Sequence, residues 1–218
     1  MTELRKKHPL AIRWFHWVNF PLLALMIWSG ALIYWANAVY RVAAGKHTLL
    51  RMTLPQPVYN KLHMSYRLAD GMSLHFFFMW LFAINGIAYV IYTIASGQWR
   101  YLVPNRHSFR EAIHVTLYDL HLRRDPPPLR KYNGAQQIAY TAVVLMGLGS
   151  LLTGLAIYKP VQFAWLGALF GGYQMSRFFH FWLTVGYVLF FFVHIAQVIR
   201  TGWNNFRAMI IGYEVAND

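Results

Sequence analysis

Two histidines, His180 and His194, lie fourteen residues apart in a stretch, 178–199, that contains no Asp, Glu, Lys or Arg. In one α-helix, fourteen residues correspond to about 21 Å along the axis and return the side chains to within about 40° of the same face. An ionisable residue inside a membrane is costly unless it faces the protein interior and finds a partner there. The spacing therefore predicts two haems stacked across a bilayer, with one ligand to each from this helix.

The composition is that of a membrane protein. Hydrophobic residues make up 57% of the 218 residues and charged residues only 12%, about half the roughly 25% typical of soluble domains. Each of four charge-free runs reaches the roughly 20 residues that a helix needs to cross a bilayer: 14–40, 71–99, 132–158 and 178–199. A fifth run, 160–176, is short and contains three glycines, which favours an interfacial or partly re-entrant segment.

The sequence therefore predicts an all-α membrane protein with four transmembrane helices around two b-type haems. We expect a single domain, 1–218, with helices at about 12–40, 70–97, 133–158 and 177–201. The connections are a cytoplasmic loop, 98–132, and two extracytoplasmic loops, 41–69 and 159–176.

The orientation follows from the basic residues. Thirteen of the 20 Lys and Arg residues lie in the N-terminal tail, in loop 98–132 and after the fourth helix, and the positive-inside rule assigns these parts and both termini to the cytoplasm. The net charge of +13 comes with no recognisable nucleic-acid module. We therefore expect the basic loops to contact anionic membrane lipids, with no nucleic-acid partner.

Two histidines are predicted at the same depth near the cytoplasmic side of the membrane. His16 follows Arg13 closely as the first helix enters the membrane, and His194 precedes Arg200 closely as the fourth helix leaves it. The pair predicts the ligands of an inner haem.

A second pair lies at the outer depth. His75 comes shortly after Asp70, and His180 comes shortly after Arg177. Both helices enter the membrane from the outside at these charged residues, so the two histidines lie at a similar depth. The main alternative to His75 on the second helix is His63, but the charges that follow it place His63 outside the hydrocarbon. His75 and His180 are therefore the predicted ligands of an outer haem.

The absence of cysteine restricts the redox chemistry. The sequence contains no Cys, which excludes disulfides, thiolate zinc sites, cysteine-bound iron–sulfur clusters and covalent c-type haem in this chain. Non-covalent haem b with two imidazole ligands is compatible with that exclusion. We predict that no side chain of the chain is catalytic and that the two haems carry the electrons.

Other polar and small residues have alternative interpretations. The arginines at the span ends are candidates for haem propionates, because guanidinium binds carboxylates well, although topogenic charge explains them equally: Arg13, Arg67, Arg177 and Arg200. Gly30, Gly86, Gly154 and Gly186 permit close approach of a porphyrin or of a neighbouring helix. His107, His114 and His121 recur every seven residues before Pro126, which favours a membrane-surface amphipathic helix over a metal site.

Five segments resemble the bacterial cytochrome b561 / nickel-hydrogenase and formate-dehydrogenase cytochrome b family, over roughly residues 8–205. They are IRWFHWVNF, LHFFFMWLF, KYNGAQQIAY, LLTGLAIY and RFFHFWLTVGYVLFFFVH. The resemblance implies a four-helix di-haem protein of the bacterial inner membrane that anchors a periplasmic enzyme and exchanges electrons with quinone near the inner haem. It implies the same two histidine pairs, and a quinone pocket at Asn133 and Gln136, for which helix capping by Asn133 is the alternative.

The sequence is compatible with three functions. The first is an electron-transfer subunit between quinone and an extracytoplasmic redox enzyme containing iron–sulfur clusters or molybdopterin, and the large outer segments 41–69 and 159–176 favour it as docking surfaces. The second is a stand-alone oxidoreductase, for example from superoxide to quinone. The third is a haem-free transporter or structural subunit.

Overall fold

The computed structural model describes residues 3–44, 46–126 and 131–216. The elements in chain order are β1 (Glu3–Lys6), α1 (Leu10–Trp35), β2 (Arg41–Ala44), β3 (His47–Arg51), α2 (Gln56–Lys61), α3 (Leu68–Ala95), α4 (Trp99–Leu102), α5 (Arg106–Asp119), α6 (Gly134–Tyr158), α7 (Ala164–Leu169), α8 (Tyr173–Ile211) and β4 (Tyr213–Ala216).

Four helices within the described residues are long and apolar enough to cross a membrane, and these are α1, α3, α6 and α8. This confirms the four spans predicted from hydropathy. The segment 160–176 is not a further span, because it contains the six residues of α7, the turns on either side and the first residues of α8.

Two spans, α1 and α8, differ from the predicted bounds by more than two residues. α1 ends at Trp35 rather than near residue 40, because its last carbonyls accept bonds from the turn that follows, at 3.2 Å from Ala36 N to Ile33 O and 3.0 Å from Asn37 N to Tyr34 O. α8 begins at Tyr173 and runs to Ile211 through a kink at Gly202, whose φ is 79°. Glycine suits this kink since positive φ costs it little.

Two compact units divide the fold, Trp14–Asn85 and Met1–Arg13 with Gly86–Asp218. In the first, the C-terminal end of α1 packs against the segment that follows it. Leu32, Tyr59 and Met64 form a buried cluster, and Trp35 Nε1 donates to Gln56 Oε1 at 3.4 Å. Between Leu32 and Tyr59 the chain forms the antiparallel hairpin of β2 and β3. The predicted loop 41–69 therefore contains two strands and the short helix α2.

In the second unit, β1 and β4 pair in antiparallel register, with Arg5 opposite Glu214. α5 packs on α6 through a hydrogen bond of 2.6 Å from Ser108 Oγ to Gln137 Oε1. α6 in turn packs on α8, where Tyr187 Oη donates to Val143 O at 3.3 Å.

The histidine-rich loop helix is shorter than its pattern suggests. α5 ends at Asp119, and His121 lies beyond it with a φ of 59°, the left-handed conformation that often terminates a helix. The three histidines therefore do not share one helix. Among the described residues there is no group of three or more His, Cys, Asp or Glu side chains that could hold a metal ion.

Candidate haem-binding site

His75 lies in the first half of α3 and its imidazole contacts α1. Its Nδ1 is 3.0 Å from the hydroxyl oxygen of Ser29, a residue that is completely buried. The same hydroxyl lies 2.7 Å from the carbonyl oxygen of Leu25, one turn earlier in α1. A serine in the middle of a span is thus bonded both to its own helix and to a histidine of the next span.

The residue after this serine brings the two helices close together. A Cβ atom on Gly30 would lie 3.5 Å from Cε1 of His75, so the imidazole rests directly against the backbone of α1. Gly71 makes a similar approach on α3, since a Cβ there would lie 2.8 Å from the Cβ of Leu32. Small residues at such contacts are typical of helix packing in membranes.

His180, near the start of α8, has the same surroundings. Its Nδ1 is 3.0 Å from Oγ1 of Thr153 on α6, and that hydroxyl lies 2.6 Å from the carbonyl oxygen of Gly149. A Cβ on the following residue, Gly154, would lie 3.2 Å from Cε1 of His180. In each unit, therefore, a buried hydroxyl residue followed by glycine supports the imidazole of a neighbouring span.

Sequence reasoning missed Ser29 and Thr153. It identified Gly30 and Gly154 as points of close approach, and the structure shows that what approaches each glycine is a predicted ligand. The signal that was available is a Ser-Gly or Thr-Gly pair inside a charge-free run that precedes a histidine-bearing span.

The other two predicted ligands also lie within spanning helices. His16 is in the second turn of α1, with its ring edge-on to Trp17 at 5.1 Å between centroids. His194 is in α8, with its ring stacked on Phe190 at 5.7 Å and 13°. His63, the rival to His75, lies between α2 and α3 with a φ of 53°, and is therefore not part of a span.

Each arginine predicted at a haem propionate has a protein partner. Arg67 pairs with Asp70 at 2.9 Å and Arg200 with Asp119. Arg177 donates to Gln174 Oε1 at 3.5 Å, and Arg13 donates to the carbonyl oxygen of Ile210. Their role towards a propionate stays a prediction.

Asn133 and Gln136 form a capping box at the start of α6. The Asn133 side chain accepts from the backbone N–H of Gln136 at 2.9 Å, and the Gln136 side chain accepts from the backbone N–H of Asn133 at 3.0 Å. The capping alternative for Asn133 is therefore confirmed. The box uses the two side-chain oxygens, so a further role of either residue would depend on its amide NH₂ group.

Next to this cap lies a half-buried cation. The Nζ atom of Lys131 donates to Gln98 Oε1 at 2.7 Å and lies 4.4 Å from the centroid of the Tyr101 ring. Burial lowers the pKa of the Lys131 ammonium, because a charged amine loses hydration there.

An apolar cavity of about 150 Å³ opens near the same end of α6. Its walls come from the last turns of α3, from α4 and from the second and third turns of α6, and they include Tyr89, Trp99, Tyr140 and Val144. A cavity of this kind suits an apolar ligand.

The donor set fits a haem b. The chain offers imidazoles on spanning helices and no thiol, and an imidazole whose Nδ1 is hydrogen-bonded is the usual state of a metal-bound histidine. His75 and His180 both have that bond.

The family described as prokaryotic cytochrome b561 matches residues 7–212. The chain belongs to this family. Its members are four-helix haem b cytochromes of membranes, which confirms the predicted four-helix membrane fold and implies b-type haem. The chain is accordingly a multi-pass membrane protein of an electron-transfer family.

A protein of Azospira oryzae (strain ATCC BAA-33 / DSM 13638 / PS) is similar over most of its length. It is named a putative protein-methionine-sulfoxide reductase subunit, YedZ1, and is 29% identical over 197 residues, which are 90% of this chain and 91% of that protein.

Proposed function

We propose that this cytochrome b561-type chain is the membrane subunit of a redox enzyme and carries electrons between that enzyme and quinone through two haems b. His75 and His180 would hold the outer haem, and His16 and His194 the inner one. The observation that carries the proposal is the matched support of His75 and His180, each bonded at Nδ1 by a buried hydroxyl of a neighbouring span.

Haem iron with two imidazole ligands supplies a reversible one-electron carrier. The chain contributes the ligands, their orientation and an apolar surrounding that keeps water from them. Ser29 and Thr153 hold their imidazoles through Nδ1, and Gly30 and Gly154 let each ring lie against a helix backbone. His180 and His194 lie fourteen residues apart on α8, about 21 Å along the helix axis, so each would hold one of the two haems.

The orientation that we propose has both termini and α5 on the cytoplasmic side of a bacterial inner membrane. The distribution of basic residues supports it. The segments with α2 and α7 would then face the outside.

The partner would be an extracytoplasmic enzyme with iron–sulfur clusters or molybdopterin, such as a hydrogenase, a formate dehydrogenase or a molybdopterin oxidoreductase. The name of the Azospira oryzae relative, a reductase subunit, supports a partner and adds a protein-methionine-sulfoxide reductase to the candidates. The segment 41–69 supports docking, because its described residues expose large apolar side chains, among them Leu49, Leu50 and Tyr66.

Quinone would exchange electrons with the inner haem at the start of α6. The amide NH₂ groups of Asn133 and Gln136 and the Lys131 ammonium are hydrogen-bond donors for a quinone carbonyl. The apolar cavity beside Tyr140 offers room for part of the isoprenoid tail. Lys131, with its lowered pKa, is also suited to deliver a proton.

The test is a visible spectrum and a haem count on the purified chain and on four alanine variants. We expect two haems b per chain, loss of one in His75→Ala and loss of the other in His194→Ala, with His63→Ala and His114→Ala as matched controls that retain both. A chain without haem would overturn the proposal, and loss of a haem in His63→Ala but not in His75→Ala would overturn the outer ligand set. Superoxide-driven quinone reduction by the chain alone would instead identify a stand-alone oxidoreductase.

A further inference from the structure

The hydroxyl groups of Ser29 and Thr153 each have one proton to donate, and the distances in the structure indicate which atom accepts it. Ser29 Oγ lies 2.7 Å from the carbonyl oxygen of Leu25, and Thr153 Oγ1 lies 2.6 Å from that of Gly149. Two oxygens at these distances repel each other unless a proton lies between them, and a carbonyl has none to give. Both hydroxyls therefore donate to their own helix.

The same hydroxyls must then accept from the imidazoles. With its proton committed to Leu25, Ser29 Oγ can meet His75 Nδ1 at 3.0 Å only as an acceptor. Thr153 Oγ1 meets His180 Nδ1 at 3.0 Å in the same way. This assigns the proton of each ring to Nδ1 and the lone pair to Nε2, the tautomer in which a histidine binds a metal through Nε2.

We infer that Ser29 and Thr153 are a matched pair of positioning residues that fix the tautomer of both ligands of the outer haem and lower its reduction potential. The inference rests on the proposed ligation by His75 and His180. A hydrogen bond from Nδ1–H to an acceptor makes the imidazole a stronger donor to its metal, which stabilises ferric over ferrous iron. Since each hydroxyl donates to a carbonyl at the same time, its acceptor strength is increased by cooperativity.

Each of the two proposed ligands is supported within its own unit of the fold. The support is the same on both sides: a completely buried or nearly buried hydroxyl residue, a bond to the carbonyl four residues earlier, and a glycine directly after it. Equal support of both axial ligands would make their effects on one iron add.

The experiment is redox titration of the haems in the purified full-length chain, with the haem count measured for each variant. Thr153→Val keeps the shape and removes the hydroxyl, Thr153→Ser keeps the hydroxyl, and Ser29→Ala removes the other hydroxyl. We expect Thr153→Val and Ser29→Ala each to make the outer haem easier to reduce, with a several-fold higher ratio of ferrous to ferric haem at a fixed potential. The double variant should show the product of the two changes, and Thr153→Ser should titrate like the wild type.

Two controls remove a hydroxyl that bonds the carbonyl four residues earlier but has no such imidazole contact. They are Ser96→Ala, whose Oγ donates to Tyr92 O at 2.7 Å, and Thr116→Val, whose Oγ1 donates to Ala112 O at 2.9 Å. Both should leave the two potentials unchanged.

Each remaining outcome supports or overturns the inference. Loss of the outer haem in Thr153→Val with retention in Thr153→Ser supports it, because serine keeps the hydroxyl group and valine does not. Unchanged potentials in the hydroxyl-free variants, a shift in the opposite direction, or loss of haem in both Thr153 variants would overturn it. A wild-type chain that binds no haem would overturn the proposed function itself, whereas two haems with unchanged potentials would overturn only the role of Ser29 and Thr153.

Discussion

Lys7 and Glu214 form an ion pair of 2.6 Å that joins the residue after β1 to β4. Arg5 binds the same carboxylate through its other oxygen. Burial alone would raise the pKa of Glu214, but the hydrogen bonds from Lys7 and Arg5 outweigh it and hold the pKa below its ordinary value. The pairing of the two terminal strands is therefore linked to pH.

The first prediction concerns this linkage. A carboxyl with a lower pKa in the folded chain adds stability above its unfolded pKa, about 4.3, and that stability is lost as the pH falls through the folded pKa. We expect the amides of β1 and β4 to lose protection from hydrogen exchange over that acidic range. In Glu214→Gln, protection should already be lower at neutral pH and should change little on acidification.

The control for Glu214→Gln is Asp125→Asn, which removes an exposed ion pair of 3.3 Å with Arg123. Exposed pairs contribute little, so exchange in β1 and β4 should be unaffected. Equal acid sensitivity in wild type and Glu214→Gln would show that another group controls the terminal strands.

The second prediction concerns the contact between α5 and α6 at Gly134. A Cβ atom there would collide with the carbonyl oxygen of Ser108 and lie 2.9 Å from the Cβ of Glu111. Because backbone cannot move aside cheaply, we expect Gly134→Ala to reduce the free energy of unfolding by about 1–3 kcal/mol. The thermal unfolding midpoint in detergent, followed by circular dichroism, measures it.

Gly167→Ala is the matched control for Gly134→Ala, because a Cβ on Gly167 would meet nothing within 4 Å. Alanine inside a helix is favoured over glycine by about 0.5–1 kcal/mol, so this variant should be neutral or slightly more stable. Equal destabilisation by both substitutions would contradict the close contact at Ser108.

The third prediction compares the two glycines beside the predicted ligands. A Cβ on Gly154 would lie 3.2 Å from Cε1 of His180, whereas a Cβ on Gly30 would lie 3.5 Å from Cε1 of His75, an ordinary contact. We therefore expect Gly154→Ala to displace an imidazole and alter the absorption of the outer haem or reduce its content, and Gly30→Ala to retain both haems. The reverse order of effects would be incompatible with these distances.

The spans were predictable because hydropathy reports directly on the bilayer. A helix in hydrocarbon must satisfy its backbone internally, so a charge-free run of span length leaves few alternatives. The ends were harder to predict, because local turns determine them: α8 starts after Gly171 and Gly172, both with positive φ, and continues past Arg200 to the kink at Gly202.

The sequence alone predicted the haem ligands, but it did not predict the hydroxyl residues that bond two of them. A histidine inside a span is conspicuous, since its cost in hydrocarbon requires an explanation. A serine or threonine inside a span is common, because its hydroxyl can bond its own helix. Only the packing of α1 on α3 and of α6 on α8 distinguishes Ser29 and Thr153 from other hydroxyl residues.

The fourth prediction separates the two roles of Asn133. Its side chain caps α6, and loss of an N-cap costs about 1 kcal/mol, whereas the proposed quinone contact needs the amide NH₂ that serine lacks. We expect Asn133→Ser to keep the thermal stability of the wild type but to slow haem reduction by quinol at least several-fold. Asn133→Leu should lose both stability and quinol-driven reduction.

The capping box of α5 provides the control for this comparison. Asn105 caps α5 through the backbone N–H of Ser108 at 3.2 Å and that of His107 at 2.8 Å, so Asn105→Ser and Asn105→Leu change a cap outside the proposed quinone site. Only Asn105→Leu should lower stability, and quinol-driven reduction should be normal in Asn105→Ser. If Asn133→Ser also reduced its haems at the wild-type rate, Asn133 would be a cap alone, because a residue that binds quinone through its amide cannot lose that amide without effect.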